Sequence, residues 1–131
     1  MGRMKILLDT HALLWWLFDD ARLSLNARKV IASPDSTVFM SSASAWEIAT
    51  KYRLGKLPEA KEAVERLPHL LQLNRMEELP ISVAHALAAG LLRIAHRDPF
   101  DRMLIAQARL ESMSVVTTDP QFQGHNVQII W

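Results

Sequence analysis

Apolar positions along the chain alternate between short continuous runs and longer helical spacings, and that alternation predicts an architecture. Lys5-Ile6-Leu7-Leu8 is an apolar run ending at an acidic turn, the pattern of a strand buried on both faces of a parallel sheet. Residues 10–18 then predict a helix and residues 24–32 a second, with Pro34 beyond its end. Thr37-Val38-Phe39-Met40 is rich in strand formers and predicts a second strand. From Ser44 onward, Trp46, Ile48, Ala49, Tyr52 and Leu54 fill a helix that Gly55 stops. Residues 59–73 continue with helical character and are broken by Pro68. Leu79-Pro80-Ile81 suits a brief strand entering a helix at Ser82, in which Val83, Ala86, Leu87, Gly90, Leu91 and Ile94 recur as an apolar stripe expected to face the core. Asp98-Pro99 opens a helix over 100–111, Val115-Val116 predicts a further strand, and 127–130 the last. Strands alternating with helices imply an α/β sandwich with a mainly parallel sheet.

Composition narrows the possibilities without changing that picture. A chain of 131 residues, half of them hydrophobic, supports one core, so a single domain over 1–131 is expected. The absence of cysteine excludes a disulfide, a thiolate zinc site and a catalytic thiol, and fits a reducing cytoplasm. A net charge of +1 excludes a general polycation, so nucleic-acid binding would rely on a local basic patch. Arg3 and Lys5 precede an apolar stretch, but Asp9, Thr10 and His11 interrupt it and no small-residue cleavage site comes after it, which argues against a secretory signal. The longest apolar run, 12–18, is far below the roughly 20 residues that cross a bilayer, so a soluble protein without a membrane partner is expected.

Four acids stand where such a sheet places chemistry. In an open parallel sheet the functional crevice lies beyond the carboxyl ends of the strands. Asp9 follows the first strand directly, Asp119 follows Val115-Val116 through Thr117 and Thr118, Glu47 lies near the start of the helix after the second strand, and Asp101 sits in the first turn of its helix. Each also has a plainer role. Ser44 with Glu47 matches a capping box, Asp98 before Pro99 makes a good N-cap, Asp101 suits a helix N-terminus, and Asp9 and Asp119 are placed to cap the turns that begin after them. Together they point further: clustered carboxylates repel and raise one another's pKa values unless a cation offsets the charge. All-oxygen ligands favour Mg²⁺, with Mn²⁺ as a substitute, and Mg²⁺ shares phosphate oxygens readily, so phosphodiester hydrolysis is the natural chemistry.

The remaining polar and aromatic residues divide by the same reasoning. His11, His69, His85, His96 and His125 show no metal-ligand spacing and read as surface or helix-terminus residues, although His96 and Arg97, preceding Asp98, are placed to touch a phosphate. Thr10 and Thr117 carry hydroxyls beside the acids and would orient carboxylates, or else cap a turn. Lys51, Arg53, Lys56, Arg97 and Arg102 offer a route for a phosphate backbone, with Arg102 the one expected near the site. Trp15, Trp16, Phe18 and Trp46 read mainly as core, but adjacent Trp15 and Trp16 cannot both point inward, so one is expected to meet a partner.

Four segments carry a resemblance to a known family: Ile6-Leu7-Leu8-Asp9-Thr10-His11, Ser44-Ala45-Trp46-Glu47-Ile48, His96-Arg97-Asp98-Pro99-Phe100-Asp101-Arg102 with Ile105-Ala106-Gln107-Ala108, and Val116-Thr117-Thr118-Asp119. In this order, spanning nearly the whole chain, they resemble the PIN-domain nucleases, and within them the VapC-like toxins of bacterial toxin–antitoxin pairs. The resemblance implies the PIN fold, a three-layer α/β/α sandwich with a central mainly parallel sheet flanked by helices. It also implies that Asp9, Glu47, Asp101 and Asp119 hold one or two Mg²⁺ or Mn²⁺ ions, with Asp98 either a further ligand or only a cap. The implied activity is endoribonuclease cleavage of tRNA, rRNA or mRNA by a metal-activated water, silenced by a cognate antitoxin and usually carried out by a homodimer. Two other readings start from the same acids. A phosphoacceptor signalling domain would need a paired acid after the first strand and a lysine near the last one, and an aspartate-nucleophile phosphatase would open on D-x-D; Asp9-Thr10-His11 supplies neither start. A non-catalytic PIN-like interaction module is opposed by the retained acids.

Overall fold

The computed structural model describes residues 3–95 and 97–131. The first strand, β1 (Met4–Leu8), lies at the centre of a five-stranded sheet, and its last three residues, Ile6, Leu7 and Leu8, are wholly buried. It pairs in parallel with β2 (Ser36–Ser41) on one side and β4 (Ser114–Val116) on the other. The edges are β3 (Glu77–Leu79), parallel to β2, and β5 (Ile129–Ile130), parallel to β4. The order β3-β2-β1-β4-β5 places the amino-terminal strand between the two halves of the chain.

Successive side chains of a strand point to opposite faces, and β1 divides the core accordingly. Ile6 and Leu8 pack with α1 (Thr10–Leu17), α2 (Leu25–Ala32), α3 (Ser42–Arg53) and α4 (Lys61–Leu73), through residues such as Leu13, Ile31, Ile48 and Leu71. Leu7 packs on the other side with Leu104, Ile105 and Ala108 of α6 (Pro99–Glu111), and with Phe122. The helix α5 (Val83–Leu91) packs against α6. This is the three-layer α/β/α arrangement expected from the alternation, and all the strand pairings are parallel. No helix among the described residues is long and apolar enough to cross a membrane.

The caps that start these helices also place the acids. Ser24, Ser41 and Asp98 accept backbone N–H bonds at the starts of α2, α3 and α6, and Asp9 does so for α1. At the far end of α3, Gly55 has φ 77°, and the bonds Gly55 N–H to Tyr52 O (3.0 Å) and Lys56 N–H to Lys51 O (2.9 Å) close the helix in a Schellman turn.

Several expectations need correction. The stripe on α5 does not face the core: Val83, Leu87 and Leu91 are 77%, 63% and 77% exposed, and the helix is anchored instead by His85 and Ala89. Its apolar spacing is real, but the inward face is the one built from small and polar residues. His85 is accordingly a buried residue, its Nδ1 accepting from Ser82 N–H and its Nε2 facing Glu111 Oε2 at 3.0 Å. The break expected at Pro68 falls two residues earlier, at Arg66, whose non-helical backbone joins two helical pieces across a kink. The brief strand lies at Glu77–Leu79, ahead of Pro80, which lacks the N–H a ladder needs. Trp15 and Trp16 both find partners within the chain: Trp15 packs on Trp131 and under Arg22, and Trp16 Nε1 donates to Asn74 Oδ1. The exposed tryptophan is Trp46, at 63%.

Candidate active site

Each acid is delivered by the element that carries or precedes it. The end of β1 delivers Asp9, the end of β4 delivers Thr117 and Asp119, α3 delivers Glu47, and the first turn of α6 delivers Asp101. They meet in a cleft of 210 Å³ lined by Asp9, Thr10, His11, Glu47, Lys51, Asp98, Asp101, Asp119 and Gln121. All four acids singled out in the sequence, together with Asp98, therefore share one cavity at the carboxyl edge of the sheet.

Two of the acids are buried and held on both oxygens. Asp9, 6% exposed, accepts from Ala12 N–H at 2.7 Å through Oδ1 and from the Thr117 hydroxyl at 2.5 Å through Oδ2. Thr117 in turn accepts from Asp119 N–H at 3.0 Å, which ties the two strand-end acids into one chain of bonds. Burial pushes the Asp9 carboxyl above its ordinary value; the Thr117 and Ala12 bonds pull the other way without reversing the shift, and the charge of Asp119 adds to it. Glu47, 3% exposed, accepts from the Thr10 hydroxyl at 2.6 Å through Oε1 and from Lys51 Nζ at 2.5 Å through Oε2. Ser44 Oγ stands 3.0 Å from the Thr10 hydroxyl. The cap of α3 is Ser41, so the capping-box reading of Ser44 and Glu47 falls: the glutamate reaches across to α1.

The other acids combine two roles. Asp98 Oδ1 accepts from the N–H groups of Phe100 and Asp101, as its capping reading requires, and the residue also lines the cleft. Asp119 accepts from Gln121 N–H at 2.9 Å at the start of a short 3₁₀ turn, Pro120–Phe122. The arginines are placed elsewhere. The Arg102 guanidinium donates to Ala89 O and Leu92 O, both at 2.8 Å, at the end of α5 and lines an apolar pocket with Trp46 and Phe100 rather than the acidic cleft. Arg97 is exposed and does not line the cleft, and the expectation for His96 lies outside the described residues.

His11 and Gln121 line the cleft although neither stood out in the sequence as a site residue, and Ser44 joins it through Thr10 rather than as a cap. Lys51, expected only along a route for phosphate, stands inside the cleft on Glu47. The signal for that pairing was present: Lys51 stands four positions after Glu47 on the same helix, a spacing that pairs acid with base.

The donor set suits a hard cation. Among the described residues no three acids or histidines converge into a closed ion cage. Mg²⁺ does not need one, because it is commonly held by one or two carboxylates and keeps several waters. Oxygen donors line the cleft, and the raised pKa of Asp9 registers the cost of burying a carboxylate there.

A parallel sheet with acids gathered at its carboxyl edge defines a class, and the chain belongs to the PIN-domain family, whose model matches residues 6–126. It is similar to Ribonuclease VapC22 of Mycobacterium tuberculosis (strain ATCC 25618 / H37Rv), 29% identical over 120 residues that make up 92% of this chain and 91% of that protein. It is also similar to Ribonuclease VapC16 of the same strain, 39% identical over 59 residues, but that match spans only 45% of this chain and 40% of the relative's length. Among solved structures, the crystal structure of VapBC2 from Rickettsia felis, bound to a DNA fragment from their promoter, superposes with a TM-score of 0.70 at 19% identity. It covers 96% of this chain and 97% of that one, a likeness of fold.

Proposed function

We propose that the protein is a metal-dependent endoribonuclease and the toxin of a VapBC-type toxin–antitoxin pair, working as a homodimer in the cytoplasm on tRNA, rRNA or mRNA. The observation that carries this reading is the pair of buried carboxylates, Asp9 and Glu47, fixed by Thr117 and Thr10 in one cleft with Asp98, Asp101 and Asp119. Structural caps do not require burial of two acids beside three others; a phosphodiester hydrolase with a divalent ion does. The names of the two relatives, both ribonucleases, support the substrate class, and the VapBC2 neighbour supports a cognate antitoxin as partner protein.

Asp9 and Asp101 would hold Mg²⁺ or Mn²⁺ directly, with Glu47 and Asp119 holding it directly or through water. When bound, the ion supplies an activated water and offsets charge on the phosphate. Thr117 fixes the rotamer of Asp9 and Thr10 that of Glu47, so both carboxylates are oriented before any ligand enters. The exposed α5 face, Val83, Leu87 and Leu91, is the surface offered to a second copy.

Cleavage of end-labelled structured RNA by wild type and Asp101→Asn, with Mg²⁺, with Mn²⁺ and with EDTA, tests the reading. Metal-dependent cutting that Asp101→Asn lowers by about a hundredfold or more is expected. Equal cutting by both proteins would place the activity outside this cleft, and a complete lack of cutting on every RNA would favour the non-catalytic interaction module.

A further inference from the structure

Lys51 enters the acidic cleft from the last turn of α3 and has no part in the four-acid scheme. Its Nζ lies 2.5 Å from Glu47 Oε2, the lysine side chain 31% exposed and the glutamate side chain 4%. Among the described residues it is the one lysine or arginine lining that cleft. A lysine ammonium is charged at neutral pH, and the carboxylates of Glu47, Asp98 and Asp101 share the cleft with it. Exposed i,i+4 pairs of this kind contribute little. Here the acid is buried, its other oxygen is held by Thr10, and the base faces two further carboxylates, so the pair is a feature of the site and not of the surface.

We propose that Lys51 is the resident counter-ion of the cleft: through Glu47 it offsets the acids while no metal is bound, and with metal and RNA present its ammonium turns to a non-bridging oxygen of the substrate phosphodiester. The proposal rests on the metal-dependent ribonuclease reading. Its physical basis is competition. An ammonium and a divalent ion drawn to the same carboxylates repel each other across a few ångströms of poorly screened space. The phosphate is the one anion that substrate binding brings to that place, and a compact charge on a flexible four-carbon stem reaches it without moving α3.

Competition followed by transfer to the phosphate has a signature of opposite signs. Removing the ammonium strengthens metal binding and weakens RNA cleavage, whereas a lysine that only supports the fold would weaken both or neither. Lys51→Met is compared with wild type in Mn²⁺ binding by the RNA-free protein, by calorimetry or electron paramagnetic resonance, and in cleavage of bulk tRNA at saturating Mn²⁺. The expected result is Mn²⁺ affinity tighter by about tenfold and kcat/KM lower by about tenfold, with Lys51→Arg near wild type in both. Lys51→Gln carries the same comparison should the methionine variant fail to fold. Mn²⁺ affinity no tighter than wild type, or cleavage at the wild-type rate, would overturn the proposal. Asp101→Asn in parallel separates the two levels. Loss of metal binding and cleavage there, with unchanged Lys51→Met, defeats only the role of Lys51; wild-type behaviour of Asp101→Asn defeats the ribonuclease reading beneath it.

Discussion

Asp9 carries the tension of this site in one side chain, because the fold buries a carboxylate that it also supplies with two hydrogen bonds. Burial dominates and holds its pKa above the ordinary aspartate value. A group that keeps its proton more tightly in the folded state contributes its full stability below its unfolded pKa and loses it as the pH rises through the folded value. Ionised Asp9 is therefore a cost to the metal-free protein at neutral pH, and a divalent ion would relieve it. Asp9→Asn keeps the oxygen that accepts from Ala12 N–H and removes the charge. In EDTA its melting temperature is expected above that of wild type near pH 7, with the gap closing as the pH falls to about 4. Mn²⁺ should then raise the melting temperature of wild type and leave the variant almost unmoved. A variant less stable than wild type across the whole range would mean that the Thr117 bond, which an amide cannot accept in the same way, outweighs the charge.

At the level of elements, the turn after α3 shows how directly a residue choice fixes structure. Gly55 has φ 77° with nothing within 4 Å of an added Cβ, so Gly55→Ala meets backbone strain alone. The expected cost is about 1 kcal/mol, or about 4 °C in melting temperature, read by denaturant or thermal unfolding with cleavage retained. The same directness made much of the fold legible from the sequence. The strands around Ile6-Leu7-Leu8 and Val115-Val116 are continuous apolar runs because both faces of a parallel sheet are covered, and Asp98-Pro99 announces α6 through a cap and a fixed φ. The acids were legible because strand ends and first helical turns are places the chain marks with polar residues. What failed was orientation. Periodicity on α5 shows that one face is apolar but not which way it points, and the face that packs toward α6 is the one carrying His85 and Ala89, with His85 Nε2 against Glu111 of α6. Arg102 misled for a related reason: it follows Asp101 directly, and adjacent residues on a helix face different ways, so its guanidinium reaches the carbonyl end of α5.

At the level of the whole molecule, that outward stripe connects assembly to the site. Val83, Leu87 and Leu91 lie at i, i+4 and i+8, one straight row on the surface, and α5 is anchored from beneath by only two buried residues. The row adjoins an apolar pocket in which Ile81 and Gly90 meet Trp46 and Phe100, whose rings stack edge to face at 5.1 Å. Trp46 precedes Glu47 and Phe100 precedes Asp101, so the backbone that carries two of the acids is also the rim of this face. A two-fold axis through α5 would make the row self-complementary and extend the contact toward the pocket, toward the roughly 1,200–2,000 Å² of a stable interface. Leu87→Glu places like charges opposite each other across such an axis. Because Leu87 is 63% exposed, the substitution leaves the monomer core intact, and an unchanged unfolding midpoint at high dilution is expected. On the proposed homodimer, light scattering should report a monomer for the variant and a dimer for wild type, and cleavage should fall with it, because Trp46 and Phe100 would lose the neighbour that steadies the turns bearing Glu47 and Asp101. A variant that remains dimeric would move the interface off α5. A monomer that cleaves like wild type would show that the cleft is complete within one chain and that assembly serves some other end.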